Sequence, residues 1–388
     1  MGIQFFSKVF RPYNTIKLKE LSGRTIAIDA MTEIYRAVLG SKSVGMLTDK
    51  NGNNTMHINV IMANIIEMQK LGINIIWVFD HVNSTEEKEH HNPDKANELL
   101  KRRQRKDEDK EKIIKLQLKE EKLKDKKYKN TNTSTEEILL YDDDLPTLPN
   151  IPSPLADKVD KKEIQLLDED EPLNTKSIKE KKDQLEKQMF TVDKSLIDDI
   201  KFILNCFSIK YIESPAGFEA EQIASYLTIK GECDGVYSGD TDPIAFGAKF
   251  HFRKSTKDKV LYCYSQEDIL KQISHETKTH SSLNDIQKIC VILGCDFAKK
   301  TPKIGPKTVI AKYKNVTLTD EQKKAMIVFN KDIPSFEIIN KDKVAFRDHD
   351  ADTLYSWLVE DRSFNTIRVN KWLLKVVTRQ ANIDYNQQ

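Results

Sequence analysis

The chain is poor in features that would make it secreted, membrane-bound or zinc-stabilised. Its five cysteines (Cys206, Cys233, Cys263, Cys290 and Cys295) form an odd, scattered set with no C-x-x-C pair. That pattern fits buried thiols in a reducing compartment better than a disulfide framework or a zinc site. No apolar run is long enough to span a bilayer, and no secretory signal is visible. Gly2 is present, but Phe6 stands where a myristoylation signal needs Ser or Thr. Neither sign of charge dominates: 62 Lys and Arg against 60 Asp and Glu leave a net +2, although charged residues are 31% of the chain. Net charge therefore carries no argument about nucleic acid, and local blocks must carry it. There is no internal repeat. The 388 residues suffice for two domains, or for one with large insertions.

What is present is a recurring motif in which an apolar run ends in aspartate. Thr25-Ile26-Ala27-Ile28-Asp29-Ala30 is the first, and Ile73-Asn74-Ile75-Ile76-Trp77-Val78-Phe79-Asp80 is the second. Runs that are apolar on both faces suit central parallel strands covered by helices. A helix over 57–71 separates them, with Ile58, Ile61, Met62, Ile65, Ile66 and Met68 on its apolar side and Gly72 closing it. Strand, helix and strand predict a right-handed crossover, so both aspartates project from the carboxyl edge of one sheet, where open α/β sheets bind ligands. The third instance organises the chain: Gly235-Val236-Tyr237-Ser238-Gly239-Asp240-Thr241-Asp242, where two carboxylates close together leave a buried strand. Alone, this stretch reads equally as a metal site or as a polar turn.

The remaining pattern predicts helices over 192–207 and from Phe218, and short strands over 209–212 and 260–264. A helix over 284–293 runs into Gly294-Cys295-Asp296, and the basic turn Thr301-Pro302-Lys303-Ile304-Gly305-Pro306-Lys307-Thr308 leads to another helix. Glu219 and Glu221 lie at the start of the helix from Phe218. Acidic residues there suit the helix dipole, and residues two apart do not share a helix face, so the pair converges only if Glu219 precedes the helix proper. The expected fold is α/β, a mostly parallel central sheet flanked by helices. Residues 101–129 form a charged tract opening with Lys101-Arg102-Arg103-Gln104-Arg105-Lys106, read as a solvated helix and as a nuclear-import signal or phosphate contact. Residues 130–187, with acidic clusters and four prolines in 146–154, lack the composition to bury a core and read as a disordered insertion. The predicted organisation is an N-terminal region 1–105, a helical segment 95–130, the insertion 130–187, an internal region 188–315 with a helix–turn–helix at 284–313, and closing helices over 316–388.

Asp29, Asp80, Glu219, Glu221, Asp240, Asp242 and Asp296 thus collect at strand ends, helix starts and one turn. Such a set suits two divalent metals about 4 Å apart acting on a phosphodiester, with some ligands working through bound water. A phosphatase using Asp240 and Asp242 as an Asp-x-Asp nucleophile motif is a different reading, predicting an acyl-phosphate on Asp240 and leaving Asp29, Asp80 and Glu219 without a role. A DNA-binding scaffold with a dead site is a third.

These motifs, in this order, resemble the flap endonuclease (XPG-type structure-specific 5′-nuclease) family. The resemblance rests on Met1-Gly2-Ile3-Gln4, Ile26-Ala27-Ile28-Asp29-Ala30, Val78-Phe79-Asp80, Glu219-Ala220-Glu221, Asp240-Thr241-Asp242, Leu293-Gly294-Cys295-Asp296-Phe297 and Ile304-Gly305-Pro306-Lys307-Thr308. It implies a PIN-like nuclease core with a helical arch, two Mg2+ per site with Mn2+ able to substitute, and cutting of DNA at 5′ flaps or junctions of single and double strands in replication and repair. It also implies a monomer without membrane attachment, in the nucleus or a viral replication compartment. Exonuclease and junction-resolving activities belong to the same family. Lys95 and Arg102 match the residues that stabilise charge on the scissile phosphate. Tyr35 matches the base-stacking tyrosine, and Gly2, Gly305, Lys307 and Thr308 match DNA contacts. The chain departs from the family at Lys303, which replaces the first glycine of the helix–turn–helix where a monovalent cation binds, in the longer insertion, and in lacking a C-terminal sliding-clamp motif, for which Gln380, Ile383 and Tyr385 are a poor substitute.

Overall fold

The computed structural model describes residues 2–39, 48–51, 55–81, 108, 110–121, 178, 181–182, 185, 192–255, 260–341 and 348–375. The chain forms two compact units, one of residues 1–104 and 190–388, the other of residues 105–189. In the second unit residues 110–121 are helical, within the predicted segment 95–130. Most of the predicted insertion and the C-terminal residues Gln380, Ile383 and Tyr385 lie outside the described residues.

The first unit is built on a seven-stranded mixed sheet. Its strands are β1 (Asn14–Ile16), β2 (Thr25–Asp29), β3 (Asn74–Phe79), β4 (Lys210–Glu213), β5 (Gly235–Tyr237), β6 (Phe250–Lys254) and β7 (Leu261–Ser265), in the order β1-β7-β6-β5-β2-β3-β4. The five from β6 to β4 run parallel, while β7 and β1 continue the sheet antiparallel. The mostly parallel sheet expected from the apolar runs is therefore present. The expectation did not include β1 and β6. β1 is a short, largely exposed edge, and β6 reads Phe-His-Phe-Arg-Lys, too polar for the continuous apolar signature of a buried strand.

Side-chain alternation along β2 divides the core. Ile26 and Ile28 face a layer containing Ile58, Ile61, Ile65, Ile200 and Ile203 from helices α3 (Met56–Lys70) and α4 (Lys194–Cys206). Ala27 faces Ile223, Ala224 and Leu227 of α5 (Ala220–Lys230). The small alanine lets α5 sit close behind the strand ends that carry the aspartates. A third cluster joins Ile3, the short N-terminal helix α1 (Phe6–Val9) and Phe10 to α7 (Leu283–Leu293), which follows α6 (Gln266–Thr277). The closing segment packs Leu354, Leu358, Phe364 and Trp372 into the α3–α4 layer. An ionic tie fixes it: Arg362 bonds Asp199, whose other oxygen lies 3.0 Å from His57 Nε2.

Candidate active site

Parallel pairing brings the carboxyl ends of β5, β2 and β3 side by side. Asp29 is the last residue of β2, and helix α2 (Ala30–Leu39) starts directly after it. Its side chain is 1% exposed. It accepts from Thr32 N at 3.2 Å, from the Thr32 hydroxyl, and from Ser238 Oγ at 2.9 Å. Asp80 follows β3 and accepts from Ala220 N at 2.7 Å. That bond docks the first residue of α5 against the strand end, with Glu219 and Glu221 on either side of it. Glu219 is extended (φ −89, ψ 156), so it precedes the helix, as convergence of the pair requires. Both glutamates are buried.

The second half of the site is closed by the N-terminus. Gly2 N donates to Asp296 Oδ1 at 3.3 Å, Ile3 N to Thr241 Oγ1 at 2.8 Å and Gln4 N to the Gly294 carbonyl at 2.8 Å. Gly2 has φ +91, and a Cβ there would lie 2.2 Å from Asp240 Oδ1 and 3.0 Å from Asp242 Oδ1. Only glycine allows this backbone both its left-handed turn and its approach to the two aspartates. Asp242 opens a short 3-10 turn, Asp242–Ile244, and is buried.

Ser238 links the halves. Its hydroxyl donates to Asp29 and accepts from Asp240 N at 3.0 Å, and its carbonyl accepts from His251 Nε2 at 3.1 Å. Sequence reasoning passed over Ser238, Thr32, Thr241 and His251. Only Ser238 and Thr241 carry a sequence signal, their nearness to Asp240.

Burial, and then the charge of Asp80, push the Asp29 carboxyl up to about 6. Burial strips the water that would solvate the charged form, and a neighbouring carboxylate adds to its cost. The donors are hard oxygens, the set favoured by Mg2+ and Mn2+ rather than softer metals. Among the described residues no group of three His, Cys, Asp or Glu stands close enough to clasp an ion. Mg2+ in general keeps several of its waters and takes few direct carboxylates.

His251 is fully buried and stacks on Tyr264, with ring centroids 5.8 Å apart. Burial holds its imidazole down at about 4. Between pH 6.5 and 4 the unfolded chain binds a proton there that the folded chain refuses, so this histidine removes stability as pH falls through that window. Asp29 acts oppositely: its folded carboxyl titrates higher than the unfolded one, so its contribution is complete below the usual carboxylate range and is lost as pH rises through about 6. The wild-type pH profile is the sum of the two. His251→Gln is expected to flatten the acid-side loss by about 3 kcal/mol at most. Denaturant unfolding of both proteins at pH 7 and pH 4.5 measures it, and an identical pH response removes His251 from the account.

The other expected contacts are dispersed. Tyr35 lies on α2 with its side chain 39% exposed rather than in the core, leaving ring surface accessible. Gly305 and Thr308 form a tight turn closed by Thr308 N to the Gly305 carbonyl at 3.0 Å. Helix α8 (Val309–Lys312) follows, a single turn continued by a 3-10 turn over Tyr313–Asn315, where the sequence led one to expect a helix. Lys307 is exposed. Lys303 holds a left-handed backbone, φ 62, where the family resemblance places a glycine. Lys95 and Arg102 lie outside the described residues.

Comparison with known proteins agrees with this arrangement. Residues 1–109 match the XPG N-terminal domain and residues 208–296 the XPG I-region, together just over half of the chain. The chain belongs to the XPG nuclease family. The two matched segments of this XPG-type chain carry all seven carboxylates. It is 27% identical over 409 residues to flap endonuclease 1 of Leishmania infantum, covering 97% of this chain and 84% of the relative. The Trypanosoma cruzi flap endonuclease 1 is 25% identical with the same coverage. Among solved structures, flap endonuclease-1 from Methanococcus jannaschii superposes with a TM-score of 0.61 at 19% identity, covering 98% of this chain and 99% of the other. The catalytic core of Rad2 in complex with DNA substrate superposes with a TM-score of 0.53 at 16% identity, covering 97% and 100%. At these identities the structural matches establish the shared fold of this XPG-type nuclease.

Proposed function

We propose that the chain is a Mg2+-dependent, structure-specific 5′-nuclease that cuts DNA at 5′ flaps or at junctions of single and double strands. The observation that supports this most is that Asp29 and Asp80 end neighbouring strands, Asp80 is bonded to the helix start between Glu219 and Glu221, Ser238 ties Asp29 to Asp240, and Gly2 lies against Asp240, Asp242 and Asp296. These carboxylates would hold two divalent cations, Mg2+ or Mn2+. When bound, such ions supply an activated water and stabilise the leaving oxygen. The chain's own part is to fix the carboxylates before substrate arrives. Thr32 and Ser238 orient Asp29, Ala220 N orients Asp80, and the Gly2 amide orients Asp296. Lys95 and Arg102 would offset charge at the scissile phosphate, and Tyr35 would stack on a neighbouring base. Gly305, Lys307 and Thr308 would meet the duplex backbone. The protein would act as a monomer in replication and repair, in the nucleus or a viral replication compartment, with residues 101–106 as import signal.

End-labelled 5′-flap DNA and a matched blunt duplex, each with Mg2+ and then with chelator, test the reading. Metal-dependent cutting at the flap junction with the duplex spared is the expected result. Stepwise loss from the duplex 5′ end would shift the substrate class to exonuclease, and cutting unaffected by chelator would overturn the metal assignment.

A further inference from the structure

Phe5 is held in a way the fold does not explain. Its backbone is left-handed, φ 58 and ψ 16, a region that bulky L residues avoid. Its ring gains little from burial, being 38% exposed, whereas Phe6 and Phe10 beside it are 2% and 0% exposed. Those two pack edge to face in the core at 5.1 Å between centroids. Strain kept without a packing return gathers at functional positions. Two ammonium groups attend the outward ring, Lys300 Nζ at 4.8 Å and Lys8 Nζ at 5.3 Å from its centroid. All three sit beside the carboxylate site. Gln4 N is bonded to the Gly294 carbonyl, Gly2 N to Asp296, and Lys300 N lies 3.0 Å from where a Cβ on Gly294 would stand.

We propose that Phe5 is a stacking platform for an unpaired nucleobase at the edge of the cleavage site, with Lys8 and Lys300 binding the phosphates on either side of it. The inference rests on the nuclease reading and adds a contact on the Asp296 side. A nucleotide matches the patch in both its parts, because a flat apolar face and an adjacent anion are what one ring and two cations accept. Stacking on a ring is tolerant of sequence, as a nuclease that reads structure requires. The cations also answer a difficulty of the site, since a cluster of carboxylates repels the phosphodiester it must receive. Lysine heads on flexible stems can leave the ring for a phosphate as a base slides over it.

The test uses a 5′-flap DNA carrying 2-aminopurine as its first unpaired base. Ca2+ replaces Mg2+, so that its looser coordination lets binding be read apart from cutting. Wild type is expected to quench the fluorescence on binding. Phe5→Gly is expected to bind about tenfold more weakly with the quench lost, and to unfold at the same or a higher temperature, because glycine accepts the left-handed backbone. Phe5→Trp should restore the quench. Replacing both Lys8 and Lys300 by Ala should reduce the slope of log affinity against log salt by roughly one to two. Unchanged affinity and quench in Phe5→Gly, beside a wild type that binds and with Mg2+ cuts the flap, overturn this inference alone. A wild type that neither binds nor cuts the flap overturns the nuclease reading with it.

Discussion

Asp240→Ala is expected to slow flap cleavage on the order of a thousandfold while flap binding stays within about threefold. The reason is local. The turn bearing Asp240 is held by its own backbone N–H on Ser238 Oγ and by Thr241, whose hydroxyl grips Ile3. The variant keeps those bonds and gives up only the one its side chain accepts from Thr241 N at 3.1 Å, so it loses a proposed cation ligand while most of what holds the turn remains. Single-turnover cleavage and fluorescence anisotropy on the same flap separate the two quantities. Cleavage within tenfold of wild type would remove Asp240 from the metal set. Equal loss of cleavage and binding would instead make it a substrate contact. The phosphatase reading parts company here too, since it requires a covalent phosphoryl adduct on Asp240, which mass spectrometry of a quenched reaction would detect.

Gly2→Ala should have the next largest effect, although it removes no functional group. The added methyl carbon would stand 2.2 Å from Asp240 Oδ1 and 2.7 Å from Thr241 Oγ1, nearer than any real contact. Either the N-terminal segment lifts off Asp296 or the aspartate pair moves. Displacement of about 1 Å in a catalytic constellation costs on the order of a hundredfold in rate. Gly23→Ala is the control: its φ of +78 is likewise left-handed, yet nothing lies within 4 Å of the new carbon. Gly23→Ala should lose about 1 kcal/mol of stability with cleavage unchanged, whereas Gly2→Ala should lose cleavage mainly in kcat. Equal rates for the two variants would show that the close approach at Gly2 has no part in the chemistry.

Asp29, Asp80 and Asp240 could be read from the sequence because a buried parallel strand needs an unbroken apolar run, and a charge ending that run is conspicuous. Glu219 and Glu221 were legible only conditionally, since their convergence depended on a backbone angle at Glu219 that no spacing reveals. Ser238 was hidden because its role is made by strand order: β5 lies beside β2 only in the folded sheet, and only there does its hydroxyl reach Asp29. β1 was missed for want of burial and β6 for its polarity, and both owe their place to the antiparallel partner β7. The unusual backbone of Phe5 has no sequence signature, because a bulky residue such as phenylalanine is not expected in that conformation.

The position of Gly2 also bears on how the protein can be handled. Any polypeptide fused ahead of it begins beside Asp240 and Asp296, two of the carboxylates proposed to hold the cations. A leading affinity tag would then act as a tethered competitor of DNA, and an inactive tagged preparation would report on the tag rather than on the enzyme.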